Sequence, residues 1–290
     1  MEKVTERIRN WVILLVLFLV VFDVFIWAEI LFNGPNKNAE LYFLDVGQGD
    51  AELVVLPGGV KILIDGGPNN RILGQLNSVL SPFSRYFDLI ILSHPQTDHF
   101  TGFIDVLKRY QAGVFISNGQ KGTAQNFKDL EKIIQENKIR AITLAEGDKI
   151  RYQDNYLDIL SPSKDLLLSN ELNDTGLAIK LKTQGAGALF TADIDSKIEE
   201  ELIKKYNLDI DILKVAHHGS RFSSSEKFLI NSSPKIAIIE VGKNSYGHPT
   251  KEVLNKLASV GAQIFRTDKD GMIKLSIYNS QINIFRKNNQ

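Results

Sequence analysis

Histidine is the residue type that first suggests chemistry in this sequence. All five histidines lie at the end of a predicted strand or in the loop that follows it: His94, His99, His217, His218 and His248. Loops at strand ends are where rigid scaffolds present reactive side chains. Five structural histidines would rarely all fall at such positions, so we interpret them as parts of one site.

Carboxylates accompany these histidines. Asp98 directly precedes His99, and Asp193 follows the predicted strand Ala188–Thr191. Imidazole and carboxylate groups together form the ligand set for zinc, manganese or iron. Because adjacent residues point in different directions from a regular helix, we expect Asp98 and His99 to reach one metal from a tight turn. The sequence therefore predicts a metal site where strand ends converge.

Composition narrows the chemistry further. The chain has 290 residues and no cysteine, which excludes thiolate ligands, cysteine nucleophiles and disulfides. Lys and Arg total 34, as do Asp and Glu, so the net charge is zero. Proteins that hold nucleic acid mainly through phosphates usually carry a basic excess. The balanced charge argues against tight nucleic-acid binding but does not exclude a local groove that binds nucleic acid.

Residues 11–32 form an apolar stretch interrupted only by Asp23 and Glu29. The stretch is long enough to cross a bilayer core of about 30 Å as a helix. Trp11 and Trp27 lie near its ends, as residues of an interfacial aromatic belt do. We therefore predict a membrane anchor, in which Asp23 either snorkels to the interface or pairs with a partner helix.

Positive charge before the span predicts its orientation. Lys3, Arg7 and Arg9 precede the stretch, and such an excess favours a cytoplasmic N-terminus with a translocated remainder. A cleaved signal peptide would show a shorter apolar core and a small-residue cleavage site, and neither is present. We expect a cytoplasmic segment over 1–10, the anchor over 11–32, a polar linker over 33–39 and a domain outside the cytoplasm.

From residue 40 onward, short strands alternate with helices. The predicted strands are Leu41–Leu44, Ala51–Leu56, Val60–Ile64, Leu89–Leu92, Val114–Ile116, Leu157–Leu160, Leu177–Lys182, Ala188–Thr191, Ile212–Val215, Ile236–Glu240, Ile264–Arg266, Met272–Ile277 and Ile282–Phe285. The predicted helices are Arg71–Leu80, Thr101–Tyr110, Ala124–Asn137, Asp195–Tyr206 and Thr250–Val260. This order indicates two sheets covered by helices, an αββα sandwich, in one domain over 40–285 with a frayed tail at 286–290.

The motifs resemble those of the metallo-β-lactamase superfamily. The pattern of His94, Asp98 and His99, followed by Asp193 and a later histidine, is similar to the metal-binding pattern of that family. Segments 43–50, 63–67, 92–95, 213–220, 246–249 and 266–268 resemble, in order, the extracytoplasmic hydrolase domain of ComEC-like DNA-uptake proteins and their stand-alone relatives. The resemblance covers residues 40–285 and implies a hydrolase with two divalent ions, zinc or manganese.

The resemblance also implies a ligand set. The second metal site is complete, with ligands Asp98, His99 and His217 and a bridging Asp193. The first site keeps His94 and shares Asp193.

Two departures from the family pattern affect the first site. Gln96 stands where relatives carry His or Asp, and no histidine lies between residues 100 and 216. Asp174 lies about where the missing histidine would fall and is a candidate substitute. Because a neutral amide is a poor ligand for zinc, we expect one firm ion and one weaker, oxygen-rich site that prefers manganese or fills only with substrate.

Further roles are assigned around these ligands. The candidate catalytic residues are Asp98, His218 and His248, and His248 either protonates the leaving oxygen or contacts phosphate. The candidate substrate-binding residues are Gly219, Ser220, Ser223 and His248, although the serine run 223–225 is equally typical of a helix N-cap before Glu226. The candidate supporting residues are Asp45, Asp50 and Asp65.

Three functions remain open at this point. The leading hypothesis is a phosphodiesterase or nuclease acting on extracytoplasmic nucleic acid, linked to DNA uptake. The second is hydrolysis of an ester, thioester or lactam by the same site, which Gln96 disfavours. The third is a metal-stabilised module without catalytic activity that docks onto a membrane channel. Since the sequence contains one predicted span, a role in uptake requires a separate channel protein as partner.

Overall fold

Helix α1 (Glu2–Phe32) belongs to the first of two compact units in the computed structural model, which describes residues 2–32 and 37–287. Its segment Thr5–Ala28 is long and apolar enough to cross a membrane, and the apolar side chains along it are exposed. The helix already includes most of the segment predicted as a cytoplasmic N-terminus. Residues 33–36 of the predicted linker and 288–290 of the predicted tail lie outside the described residues.

The second unit comprises residues 38–56 and the described residues from 60 onward, and it contains fifteen strands and seven α-helices. The strands are β1 (Ala39–Phe43), β2 (Glu52–Val55), β3 (Lys61–Ile64), β4 (Tyr86–Ile91), β5 (Gln111–Ser117), β6 (Arg140–Thr143), β7 (Lys149–Tyr152), β8 (Asn155–Ser161), β9 (Ala178–Thr183), β10 (Ala186–Phe190), β11 (Ile212–Lys214), β12 (Ile236–Ile239), β13 (Gln263–Arg266), β14 (Met272–Tyr278) and β15 (Gln281–Lys287). The helices are α2 (Arg71–Val79), α3 (Thr97–Val106), α4 (Phe127–Glu136), α5 (Ser196–Lys205), α6 (Glu226–Ser232), α7 (Lys251–Ser259) and α8 (Thr267–Asp270).

The strands form two mixed sheets. The first has the order β15-β14-β1-β2-β3-β4-β5-β6, and the second has the order β13-β12-β11-β10-β9-β8-β7. Strands β3 to β6 are parallel to one another, and so are β10 to β13. Parallel neighbours end at the same edge of a sheet, so the loops that follow them collect there.

Alternating side chains build the layers. Leu41 and Phe43 of β1 belong to the core between the sheets, whereas Tyr42 and Leu44 pack with the helices on the outer face. This is the period of two that a strand buried on both faces imposes. Across the central layer, the rings of Phe43 and Phe190 lie 6.1 Å apart and join the sheets. Helices α2 to α4 cover one sheet and α5 to α7 the other, which confirms the predicted αββα sandwich.

Several predicted boundaries are wrong for identifiable reasons. Helix α3 begins at Thr97 rather than Thr101, because Gln96 is the extended residue before it and the turn from β4 is shorter than expected. Strands β6 and β7 are absent from the prediction, since they lie at sheet edges and their side chains are mostly exposed. The predicted frayed tail is paired as far as Lys287, in β15.

The position of α3 depends on close backbone contact. Gly102 donates its N–H to the Gly67 carbonyl at 3.0 Å, and a Cβ at Gly102 would lie 1.9 Å from the Gly66 oxygen. Any side chain at Gly102 would therefore move the helix that carries Asp98 and His99.

Replacing Gly102 tests this constraint. Gly102→Ala is expected to destabilise the chain by about 2–3 kcal/mol, as overpacked core substitutions do. The matched control is Gly74→Ala in α2, where a Cβ meets nothing within 4 Å. That change should stabilise the chain by about 0.5–1 kcal/mol through helix propensity. Urea unfolding of the full chain in detergent measures both, and similar effects of the two substitutions would contradict the account.

Candidate metal centre

Four side chains from three strand ends converge on one point. Ligand atoms of Asp98, His99, Asp193 and His218 all lie within 4.8 Å of one another. Asp98 and His99 lie in the first turn of α3, Asp193 follows β10, and His218 follows β11. The tight turn predicted for Asp98 and His99 is wrong, because the first turn of a helix that points at the site lets both reach it.

The spacing of these atoms fits a tetrahedral ion. Asp98 Oδ2 lies 3.3 Å from His218 Nε2, and Asp193 Oδ2 lies 3.5 Å from His99 Nε2 and 3.8 Å from His218 Nε2. Ligands about 2.1 Å from a tetrahedral ion are separated by about 3.4 Å. His99 Nε2 and both oxygens of Asp193 are buried and have no hydrogen-bond partner among the described residues. Buried nitrogen and oxygen atoms that lack hydrogen-bond partners and have this spacing are suited to coordinate a divalent ion.

Hydrogen bonds fix which nitrogen of each imidazole faces the site. Asp65 Oδ2 accepts from His99 Nδ1 at 2.7 Å and from the Ser93 hydroxyl at 2.6 Å. The same hydroxyl lies 3.0 Å from His94 Nδ1, from which it accepts. Since both Nδ1 atoms are engaged, His94 and His99 present Nε2 to the metal, as ligating histidines with a carboxylate behind them do. Asp65 thus occupies the supporting position assigned to it from the sequence.

His218 is held by a different partner. Its Nδ1 donates to the Glu240 carbonyl at 2.8 Å, so Nε2 faces Asp98 and Asp193. The backbone here is strained: φ is 49° at His217 and 54° at His218, in the left-handed region. Such a residue costs about 1–3 kcal/mol unless its surroundings enforce it. This conformation turns His218, not His217, into the group with Asp98 and His99, which corrects the ligand set implied by the resemblance.

His94 and His217 remain for a second ion. His94 Nε2 is buried without a partner among the described residues, and His217 Nε2 lies 3.8 Å from Asp193 Oδ2. Gln96 donates its amide N–H to Asn173 Oδ1, which leaves one neutral oxygen on the Gln96 side chain as a ligand. Asp174, predicted as a substitute ligand, instead accepts a hydrogen bond from Ser169 at 2.7 Å. Asp174 is therefore not part of the cavity lining, whereas its neighbour Asn173 is.

The carboxylates control protonation of the imidazoles. Burial disfavours a charged His218, but Asp193 and Asp50 outweigh it and raise the pKa of His218 to about 10. The pKa of His99 is likewise raised well above its usual value, by Asp193 and Asp65 against burial. His94 differs, because burial and the neighbouring His99 lower its pKa to about 3. Metal ions displace protons from such ligands, so binding tightens as the pH rises.

A buried lysine lies below the ligands. Lys214, only 1% exposed, donates to Asp50 and to the Ala192 carbonyl, and its Nζ lies 3.9 Å from Asp193 Oδ1. Burial opposes ionisation of Asp50, but Lys214 and His218 lower the pKa of Asp50 below its usual value. The sequence prediction missed Lys214, although a lysine within the otherwise apolar strand Ile212–Val215 was a visible signal.

Two further buried carboxylates adjoin this ion pair. Glu52 and Glu240 lie beside Asp50, and Glu240 Oε1 accepts from the Ala51 N–H at 3.1 Å. Burial and the charge of Asp50 raise the pKa of Glu240 to about 8, and burial and Glu240 raise that of Glu52 well above its usual range. The pair therefore retains a proton at neutral pH. Neither residue was singled out from the sequence, where both appear as single charges at strand ends.

The ligands open onto a cavity of about 580 Å³. Its lining includes Asp98, His217, His218, Tyr246 and His248. The loop before His248 is fixed rather than flexible, because Asn244 bonds to both the N–H and the carbonyl of His248, at 3.0 and 2.9 Å. His248 thus stands at the cavity wall, with its ring 5.6 Å from that of His217.

Three predicted substrate-binding residues do not line the cavity. Ser223 is buried and donates to the Ile194 carbonyl, and Ser220 is buried and accepts from the Phe222 N–H. Gly219 packs against Pro249, where a Cβ would lie 2.5 Å from the proline Cβ. The serine run caps α6, since the Ser225 hydroxyl accepts from Phe228 N. That assignment of Gly219, Ser220 and Ser223 to substrate was therefore wrong.

The N-terminus of α6 is also unavailable to an anion. The N–H groups of Ser224 and Ser225, which directly precede α6, both donate to the Glu199 carboxylate. Asp45, predicted as a supporting residue, lies in an ion pair with Arg71 at 3.4 Å and outside the ligand group.

Comparison with known proteins agrees with this geometry. The family model of the metallo-β-lactamase superfamily matches residues 44–242. The chain belongs to this superfamily. As a metallo-β-lactamase superfamily protein, it is a metal-dependent hydrolase by family. The donor set described above is a group of residues that could hold a divalent ion.

This metallo-β-lactamase superfamily protein has relatives among competence proteins. It is 30% identical to ComE operon protein 3 of Bacillus subtilis over 274 residues, covering 86% of this chain and 34% of that protein. It is 29% identical to competence protein ComA of Neisseria gonorrhoeae, covering 87% and 35%. The chain thus spans about a third of the length of these relatives. The fold is similar to that of YhfI from Bacillus subtilis, with a TM-score of 0.57 at 11% identity, covering 87% of this chain and 100% of that one.

Metal stoichiometry tests the ligand assignment. The wild-type chain is expected to bind one divalent ion tightly and a second at least about tenfold more weakly, about 1.4 kcal/mol. His218→Ala should lose the tight ion, whereas His217→Ala should keep it and lose the weak one. Equilibrium dialysis with elemental analysis measures both. Added metal should raise the thermal midpoint of wild type and His217→Ala but not of His218→Ala.

The reverse pattern would contradict this assignment. If His217→Ala strips the tight ion and His218→Ala does not, the ligand set implied by the resemblance is right and the structural one is wrong.

Proposed function

We propose that this protein is a metal-dependent phosphodiesterase that acts on nucleic acid outside the cytoplasm. The observation that carries the proposal is the position of Asp193 Oδ2, which lies 3.5 Å from His99 Nε2 and 3.8 Å from the Nε2 atoms of both His217 and His218. One buried carboxylate that has no hydrogen-bond partner among the described residues and lies between two groups of imidazoles supports a two-metal site. Such sites suit phosphoryl chemistry, because paired ions stabilise both the attacking and the leaving oxygen.

The residues divide into two ion-holding groups. Asp98, His99 and His218 would hold one ion, and His94 and His217 would hold the other with Gln96 as a weak ligand. Asp193 would contribute to both groups. Bound divalent ions would supply Lewis acidity, which activates water and neutralises charge on the phosphoryl group. Asp98, whose pKa is lowered to about 2 by His99 and His218 against the effect of burial, is ionised at neutral pH and available to orient water.

His248 is the cavity residue that stands outside the two ion-holding groups. Burial and the neighbouring His217 lower the pKa of His248 below its usual value. At neutral pH the imidazole is therefore mainly uncharged and can still donate one N–H to a phosphate oxygen. Donation of a full proton to the leaving oxygen requires the charged form, which becomes populated only as the pH falls through this lowered pKa.

Replacing His248 distinguishes these two roles. His248→Ala should leave metal content and thermal midpoint unchanged, because Asn244 holds the loop through the backbone of His248. Turnover of an alkyl phosphodiester should fall by about 10²–10⁴-fold. If His248 is a proton donor, the ratio of wild-type to variant rates should be largest at acidic pH and shrink as the pH rises. If it is a neutral contact, the ratio should not change with pH, and His248→Gln should recover part of the rate.

Metal loss in His248→Ala would place the residue among the ligands and contradict both roles. Unchanged turnover would show that the residue is structural.

The competing hydrolase function is tested with the same preparation. The metal-loaded chain should hydrolyse bis(p-nitrophenyl) phosphate faster than p-nitrophenyl acetate or a chromogenic cephalosporin. Turnover of the ester or the lactam without turnover of the phosphodiester would replace the proposal with the alternative function. Absence of turnover with zinc, manganese and iron alike would favour the binding-module hypothesis.

The membrane role is part of the proposal. The apolar stretch of helix α1 would anchor the protein, with the basic residues at the start of the helix in the cytoplasm. Protease added outside spheroplasts should therefore digest the domain that begins at residue 40. The undigested protein should remain in the membrane fraction. Digestion only after lysis would reverse the orientation.

The match to competence proteins suggests a role in DNA uptake. The chain spans about a third of the length of those relatives. A channel protein is the proposed partner in that role.

A further inference from the structure

An exposed tyrosine stands at the mouth of the cavity. Tyr246 lines the cavity, yet its side chain is 73% exposed. Among the described residues, the aromatic ring nearest to it is that of His248, at a centroid distance of 5.7 Å and an interplanar angle of 32°. Because the side chain is 73% exposed, most of the tyrosine ring is accessible to a planar group in the cavity.

The backbone presents this ring at little entropic cost. Asn244 closes the loop by three hydrogen bonds, donating to the carbonyls of Gly242 and His248 and accepting from the His248 N–H. At the base of the loop, a Cβ on Gly242 would lie 2.4 Å from the backbone of Gly47. The loop is therefore fixed at both ends, and a ring held in place in advance binds a flat partner more tightly than a mobile one.

A continuous row of rings links Tyr246 to the ligands. Starting at His218, the next ring is His217 at 6.1 Å, then His248 at 5.6 Å, then Tyr246 at 5.7 Å. His217 Nε2 in turn lies 3.8 Å from the shared Asp193 carboxylate. These four rings therefore line one cavity from the ligands to Tyr246.

We infer that Tyr246 is the binding site of an unpaired nucleobase adjacent to the scissile phosphate. The inference rests on the proposed phosphodiesterase function and names its substrate class as single-stranded nucleic acid. Stacking of bases on aromatic side chains tolerates any sequence and requires a base whose face is open, which excludes a base inside a duplex. It also supplies affinity that the zero net charge of the chain does not.

Two substrates with the same leaving group test the inference. Thymidine 5′-(p-nitrophenyl phosphate) carries a base, and methyl p-nitrophenyl phosphate does not. In the metal-loaded full chain, Tyr246→Leu should raise KM for the thymidine ester by about 5- to 100-fold and change KM for the methyl ester less than about twofold. Tyr246→Phe keeps the ring and should resemble wild type on both substrates.

Tyr278→Leu is the matched control. Tyr278 is also an exposed tyrosine, 44% exposed, but it ends β14 and does not line the cavity. This substitution should alter neither KM. Equal changes for both substrates in Tyr246→Leu would show that the ring acts through His248 or the loop and would overturn the inference, as would no change for either substrate.

A fluorescence measurement decides the inference even if no phosphodiester is turned over. Both tryptophans of the chain, Trp11 and Trp27, lie in α1, so Tyr246→Trp adds one emitter at the cavity. A single-stranded thymidine oligonucleotide should quench that added emission, and a blunt duplex should not. No quenching by the single strand, or equal quenching by both, would contradict the inference. Quenching without turnover would instead overturn only the proposed function.

Discussion

The ion pair of Lys214 with Asp50 is the interaction on which the site depends. Lys214 ends β11 in one sheet, and Asp50 precedes β2 in the other, so the pair joins the two sheets directly beneath the ligands. Removing an ammonium group from water costs several kcal/mol unless it is paired and hydrogen-bonded. Asp50 and the Ala192 carbonyl provide that pairing, and Asp193 lies close enough to contribute. The positive charge of Lys214 also offsets the negative charge of the buried carboxyl groups around it, which are Asp50, Asp193, Glu52 and Glu240.

Strained backbone occurs at the candidate ligands His217 and His218 and at two residues close to other ligands, Asp65 and Ala192. Asp65, Ala192, His217 and His218 all have positive φ, between 47° and 54°, although none is glycine. Each immediately follows, or lies within four residues of, a buried parallel strand. Strain of this kind persists only where the surrounding structure enforces it. The hydrogen bonds of Asp65, of the Glu240 carbonyl and of Lys214 with the Ala192 carbonyl provide that enforcement.

The sequence was sufficient for the architecture and for the general place of the site. Period-two strands and histidines at their ends require only local patterns, and these predicted the αββα sandwich. The choice of His218 over His217 was not predictable, because it depends on two left-handed residues that only tertiary packing enforces. The prediction of substrate-binding serines failed for a similar reason. The Ser223 hydroxyl could contact a phosphate, but in the structure it donates to the buried carbonyl of Ile194. Lys214 was missed because a charged residue in a short strand is usually assigned to an edge.

The central claim is that Asp98, His99, Asp193 and His218 surround one tightly bound ion. Anomalous diffraction at the manganese or zinc edge, from crystals of the metal-loaded chain, tests it most directly. The account predicts the strongest peak between His99 Nε2, His218 Nε2 and the carboxylates of Asp98 and Asp193. A strongest peak among Asp50, Glu52 and Glu240, or beside His217 without contact to His218, would contradict it.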